Sequence, residues 1–135
     1  MRLELTKRAD YAIRAVVALA AAAPGERLSV RRIAASRAIP VRFLAQVMTD
    51  LVAAAIVEAI PGRSGGYRLN RPAGAITVIE VIEAVEGDSR RRTCVLRGGA
   101  CAVGGICEVH HVFAAAQKAT IAELGAATFA SLRGD

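Results

Sequence analysis

From Thr6 onward the apolar residues recur at helical spacing, with Ala9, Ala12, Val16, Leu19 and Ala23 on one face. Thr6 can cap this helix, and Pro24-Gly25 closes it near Ala22. A shorter helix, Val30 to Ser36, follows a Ser29 cap and sets Val30, Ile33 and Ala34 on one side, with Arg31 and Arg32 on the other. After a turn at Arg37-Ala38-Ile39, Pro40 presets a new helix start. In that helix Leu44, Val47, Met48 and Leu51 hold the i, i+3, i+4, i+7 positions, and the opposite face carries Arg42, Phe43, Gln46 and Asp50. The period then becomes strand-like. Ile56 to Ile60 and Tyr67 to Leu69 flank a glycine-rich tip, Pro61 to Gly66, and predict a hairpin. Helix, turn, helix and hairpin in succession predict a winged helix-turn-helix. In such modules the second helix enters the major groove and the wing reaches the neighbouring backbone or minor groove.

Past the hairpin, Asn70 to Gly74 reads as a linker. Thr77 with Glu80 forms a capping box for a helix from Val78 to Glu86, stopped by Gly87. Asp88 to Thr93 is polar, with three successive arginines, and reads as a solvated connection. Val109, Val112, Phe113, Ala116 and Leu124, with Thr120 on the same stripe, predict a C-terminal helix ending near Gly125, and a last turn runs from Phe129 to Leu132. Such a helix has no core of its own left to cover, so it is expected to cross its twin in a homodimer; packing back on the first helix is the plainer alternative. The expected fold class is mainly α with a small β-hairpin wing, a winged helix-turn-helix domain plus a long C-terminal dimerisation helix. The expected divisions are residues 1–87 for DNA binding, 88–108 for a cysteine-containing loop, and 109–135 for dimerisation and the C-terminal turn.

Composition adds two points. The chain of 135 residues is 54% apolar, long enough to bury a core, but its aromatics are few and its alanines number 29. A core of small side chains lets helices approach closely and leaves a lone subunit marginal, which again favours a dimer. The formal net charge is +6, and residues 1–72 hold 12 Lys/Arg against 5 Asp/Glu, whereas residues 73–135 hold 6 against 7. The basic half is the helix-turn-helix half, as counterion release from duplex DNA requires; an arginine-rich solvated surface is the bland reading. The longest apolar run, Ala15 to Ala23, falls short of a membrane span, and no hydrophobic signal core opens the chain, so a cytoplasmic location is expected, with no membrane partner.

The chemistry concentrates near the C-terminal third. Six residues separate Cys94 from Cys101, five separate Cys101 from Cys107, and His110 and His111 follow. Three is an odd number for structural disulfides, and in a reducing compartment ligands or redox-active thiols are the better reading. Gly98, Gly99, Gly104 and Gly105 lie between the cysteines and let the backbone wrap tightly, turning N–H groups toward sulfur. That favours an iron-sulfur cluster. Structural zinc usually takes close Cys-x-x-Cys pairs, which are absent here, although zinc, a thiol redox site or incidental cysteines stay open. Cys107 with His110 or His111 could form a nucleophilic dyad, but no orienting third group accompanies it, and an enzyme is the weakest reading.

Several segments match a known pattern. These are Thr6-Lys7-Arg8-Ala9-Asp10-Tyr11-Ala12-Ile13-Arg14-Ala15, Phe43-Leu44-Ala45-Gln46-Val47, Gly65-Gly66-Tyr67-Arg68-Leu69-Asn70-Arg71-Pro72, Ile76-Thr77-Val78-Ile79-Glu80-Val81-Ile82, and the three cysteines. Through them the whole chain resembles the Rrf-two family of bacterial winged-helix transcription regulators. The resemblance implies a homodimeric repressor or activator, with a repressor favoured, that binds a pseudo-palindromic DNA operator and reads nitric oxide, redox state or iron-sulfur status through a cluster. Its implied ligands are Cys94, Cys101 and Cys107, with a fourth from Asp10 of the partner subunit or from His110 of the same chain. Asp10 matches nitric-oxide-sensing members with a four-iron cluster, and His110 matches the two-iron regulators; the four-iron form is favoured. The plain alternatives are an Asp10–Arg14 ion pair and an exposed histidine. DNA contacts are expected from Arg31, Arg37, Arg42, Phe43, Gln46 and Arg63. Three departures stand out: the wing arginine comes two residues later than usual, Ala45 replaces a frequent Glu, and the first cysteine gap is one residue longer. The operator sequence therefore does not transfer.

Overall fold

The computed structural model describes residues 4–87 and 108–132. In chain order these form helices α1 (Lys7–Ala21), α2 (Val30–Arg37) and α3 (Val41–Ala53), strands β1 (Val57–Ile60) and β2 (Gly66–Leu69), and helices α4 (Val78–Glu86) and α5 (His110–Ala126). The winged helix-turn-helix architecture is present.

Helix α1 is the centre of the core. Thr6 caps it by accepting the Ala9 amide at 3.2 Å, and its buried face is Ala9, Ala12, Ala15, Val16, Ala18, Leu19 and Ala20. Alanine at most of these positions lets α2, α3, α4 and β2 all pack against the same helix. Ala23 does not join this face as expected. The helix stops at Ala21, Ala22 is extended, and Ala23 is exposed beyond the stop.

Ser29 caps α2 through the Arg32 amide at 3.1 Å. Ala38 then takes the left-handed conformation, φ 53° and ψ 48°, and turns the chain so that Ile39 is buried and Pro40 stands as N-cap of α3. Leu44, Val47, Met48 and Leu51 form the buried face of α3 as their spacing predicts.

In the wing, β1 and β2 pair antiparallel with Val57 opposite Leu69 and Ile60 opposite Gly66. The cross-strand pair Glu58–Arg68 closes at 3.0 Å. Two glycines are required. A Cβ on Gly65 would lie 2.1 Å from the Ile60 carbonyl oxygen, and one on Gly66 would lie 2.8 Å from that of Leu28. Leu28 in fact pairs with Tyr67, each amide donating to the other's carbonyl at 2.9 and 2.8 Å, which ties the approach to α2 onto the wing. Sequence periodicity gave no sign of this bridge.

The segment expected as a linker is more ordered than that. Asn70 holds the Ile56 and Ala55 carbonyls at 2.9 and 3.0 Å, and Ala73–Ala75 is a 3₁₀ turn with Ala73 buried. The Thr77–Glu80 capping box forms at the start of α4 as expected. At the other end of α4, Glu86 accepts from the Thr6 hydroxyl at 2.5 Å and so joins the two ends of the helix-turn-helix unit.

Helix α5 packs on α4, with Gly125 beside the Ile79 side chain, and not as a helix that covers α1. None of its residues is buried. The expected stripe divides. Phe113 and Leu124 are half-buried, whereas Val112, Ala116 and Thr120 are exposed, as is Val109 just before the helix. After α5 the chain returns to the core. Val78 donates to the Ala127 carbonyl at 3.0 Å, Phe129 donates to that of Ile76 at 3.2 Å, and Phe129, 1% exposed, is the largest fully buried side chain among the described residues.

Candidate nucleic-acid interface

Helix α3 presents Arg42, Phe43, Ala45, Gln46 and Thr49 to solvent, because its inward positions are filled by core residues. Asp50, the single acid of this helix, is neutralised by an ion pair with Arg8 of α1. The outward face of α3 is therefore basic. Arg31 is exposed on α2, and Arg63 is exposed at the wing tip, where Arg27 donates to the Ser64 carbonyl at 3.4 Å. Arg37 differs from these. It is half-buried at the end of α2, and its Nε is buried without a hydrogen-bond partner among the described residues.

Phe43 is 56% exposed, yet its ring is not loose: it lies 6.5 Å from the Tyr11 ring, tilted by 38°. Tyr11 is half-buried and packs on the core. Sequence reasoning missed Arg8, Tyr11 and Arg27 as supports of this surface. Their roles depend on which elements meet, and only a charge complementary to Asp50 hinted at the first.

The candidate metal ligands are less fully drawn. Cys94, Cys101 and Cys107 lie outside the described residues. Asp10 is half-buried on α1 and is bonded twice to Arg14, at 2.9 and 3.1 Å, the ion pair anticipated from their spacing. Arg14 also donates to the Arg37 carbonyl at 3.3 Å. His110 is exposed at the first residue of α5, edge-on to His111 at 5.7 Å. Among the described residues no three His, Cys, Asp or Glu side chains gather so as to hold a metal ion. No helix of the described residues is long and apolar enough to cross a membrane.

The family model described as Rrf2, iron-dependent transcriptional regulator, matches residues 5–135. The NsrR HTH-type transcriptional regulator of Bacillus subtilis is 32% identical over 131 residues, 96% of this chain and 90% of that protein. A putative HTH-type transcriptional regulator of Mycobacterium tuberculosis is 36% identical over 85 residues, 63% of this chain and 53% of that relative, so the match spans about half of its length. Among solved structures, CymR, the global cysteine regulator of Bacillus subtilis, superposes with a TM-score of 0.81 over 97% of this chain and 96% of its own at 21% identity, a likeness of fold. With the model matched across nearly every residue and the winged helix-turn-helix in place, the chain belongs to the Rrf2 family of transcriptional regulators.

Proposed function

We propose that this regulator is a repressor that binds a pseudo-palindromic DNA operator as a homodimer, with its affinity set by an iron-sulfur cluster that reports nitric oxide, redox state or iron-sulfur supply. The observation that carries the DNA-binding part is the outward face of α3: Arg42, Phe43 and Gln46 stand free of the core, and the only acid on that helix is cancelled by Arg8. Arg42 and Gln46 reach base edges or adjacent phosphates, Arg31 and Arg37 flank them, and Arg63 meets the backbone beside the wing. The homodimer forms through α5, whose outward apolar residues have no partner within the described residues.

Cys94, Cys101 and Cys107 would hold the cluster. Three thiolates with one further oxygen or nitrogen donor suit iron and inorganic sulfide, and Asp10 of the partner subunit is favoured over His110 for that fourth place. The four-iron form is favoured over the two-iron form. When bound, such a cluster supplies iron that reacts with a diatomic ligand or changes oxidation state. The remaining work falls to the chain. Asp10 shares α1 with Arg14, and Arg14 bonds the last residue of α2, so a change of partner at Asp10 bears directly on the turn that aims α3. Any control must come from different DNA affinities of the two states.

The test is anaerobic purification, with an absorption spectrum and iron and sulfide assays, followed by operator affinity of the cluster-loaded and cluster-free protein at one salt concentration. The expected result is cluster absorption and unequal affinities. Equal affinities would remove the cysteines from regulation. A protein without iron or sulfide whose affinity changes on thiol oxidation, or on zinc binding, would instead be a thiol- or zinc-based regulator.

A further inference from the structure

We infer that Phe43 reads sequence by packing on the 5-methyl group of a thymine in the major groove. This rests on the proposed binding of duplex DNA and extends it to a named base feature.

The chain has three phenylalanines, and the structure uses them differently. Phe129 is buried in the core and Phe113 is half-buried on α5, but Phe43 is 56% exposed in the first turn of α3. The core does not need it, because the inward face of α3 is complete with Leu44, Val47, Met48 and Leu51. Val41 is 44% exposed and Ala45 is exposed, so the first turns of α3 form a surface patch in which apolar side chains stand beside Arg42 and Gln46.

That patch is where a recognition helix meets base edges. The base edges exposed in the major groove offer donors, acceptors and one apolar group, the C5 methyl of thymine, which is the complement of an aromatic or aliphatic surface. Arg42 on the same helix, Arg31 on α2 and Arg63 at the wing tip are exposed and attract phosphates, which favours duplex DNA over a protein as the occupant. Tyr11 adds the second requirement. Its ring, 6.5 Å away, limits the positions open to the Phe43 ring before binding, so less conformational freedom is lost when the methyl group docks.

The experiment uses the full-length protein and a duplex that it selects from a randomised pool. Each thymidine of the selected site is replaced in turn by deoxyuridine, which deletes one methyl group and keeps every hydrogen-bonding group. One thymine per half-site should be sensitive, its replacement weakening binding about fourfold, the worth of one buried methyl group. Phe43→Ala should bind the thymidine and deoxyuridine duplexes alike, and Phe43→Leu should keep part of the discrimination. A scan of the parental protein with no sensitive thymine would overturn the assignment, as would an equal penalty in Phe43→Ala. Loss of an oligomer in Phe43→Ala with methyl discrimination intact would assign the patch to self-association instead. Should no duplex be enriched at all, the DNA-binding reading itself fails, a result distinct from an insensitive scan.

Discussion

Asp10 and Arg14 meet through two contacts one helical turn apart, Nε to Oδ1 at 3.1 Å and Nη2 to Oδ2 at 2.9 Å, while Nη1 of the same guanidinium reaches the Arg37 carbonyl at 3.3 Å. Both side chains remain more than a third exposed, so the pair adds only a few tenths of a kcal/mol to stability. The carboxylate is therefore held in place without being locked there.

Asp10→Ala should shift the folding free energy by less than about 0.5 kcal/mol in urea titrations. In anaerobically purified protein it should alter cluster content and the absorption or electron paramagnetic resonance spectrum, and His110→Ala should change them less. If both variants keep the parental spectrum and the parental response to nitric oxide, neither residue is the fourth ligand.

The proposed homodimer can be probed without damaging the subunit. Val112 is 69% exposed on α5, whereas Phe113 is half-buried within its own chain. Val112→Asp should leave the circular dichroism spectrum unchanged and convert the dimer to monomer in size-exclusion chromatography, because an unpaired charge would have to be buried at the interface. A dimer that persists at micromolar concentration would place the interface elsewhere.

Arg63 stands at the exposed wing tip, beyond the pairing of β1 and β2. Arg63→Ala should weaken operator binding and reduce the slope of log affinity against log salt by about 0.9, the value for one phosphate contact on duplex DNA. Unchanged affinity and slope would remove the wing from the interface.

Phe129 supplies a stability test. Its ring is 1% exposed, and Phe129→Ala should cost about 3–5 kcal/mol in urea unfolding, by lost burial and the cavity left behind. A loss below about 1 kcal/mol would mean that the segment after α5 does not seal the core.

Much of this fold was legible in the chain itself. Helical spacing identified the core faces of α2 and α3, the Thr77–Glu80 pair marked the start of α4, and glycines marked the wing. These signals are local, written within a turn or two of the residues they govern. The Leu28–Tyr67 bridge, the Arg8–Asp50 pair and the burial of Phe129 are contacts between distant positions, and no period along the chain encodes them. Ala23 failed for the complementary reason: the spacing continues past the residue where the backbone ceases to be helical. At the candidate site, exposure of Arg31, Arg42, Phe43, Gln46 and Arg63 followed from the amphipathic pattern and the hairpin tip, but the half-burial of Arg37 did not, since the turn carries it back toward α1.

That turn gives one more measurable outcome. Ala38 occupies the left-handed region, where a Cβ is strained and glycine is not. Ala38→Gly should raise the unfolding free energy by about 1 kcal/mol, read from the denaturation midpoint. A decrease would contradict the left-handed turn.

The return of the chain to Ile76 and Val78 after α5 also has a bearing on synthesis. The segment leading into α4 waits for a residue made some fifty positions later, since the Phe129 amide donates to the Ile76 carbonyl and the Phe129 ring is buried. While the ribosome is still translating α5, the helix-turn-helix carries an open apolar seam. Folding during translation can therefore form the wing and α3 early but cannot finish the core until the segment around Phe129 has left the exit tunnel. A regulator built this way exposes its unfinished side to chaperones until that last segment is made.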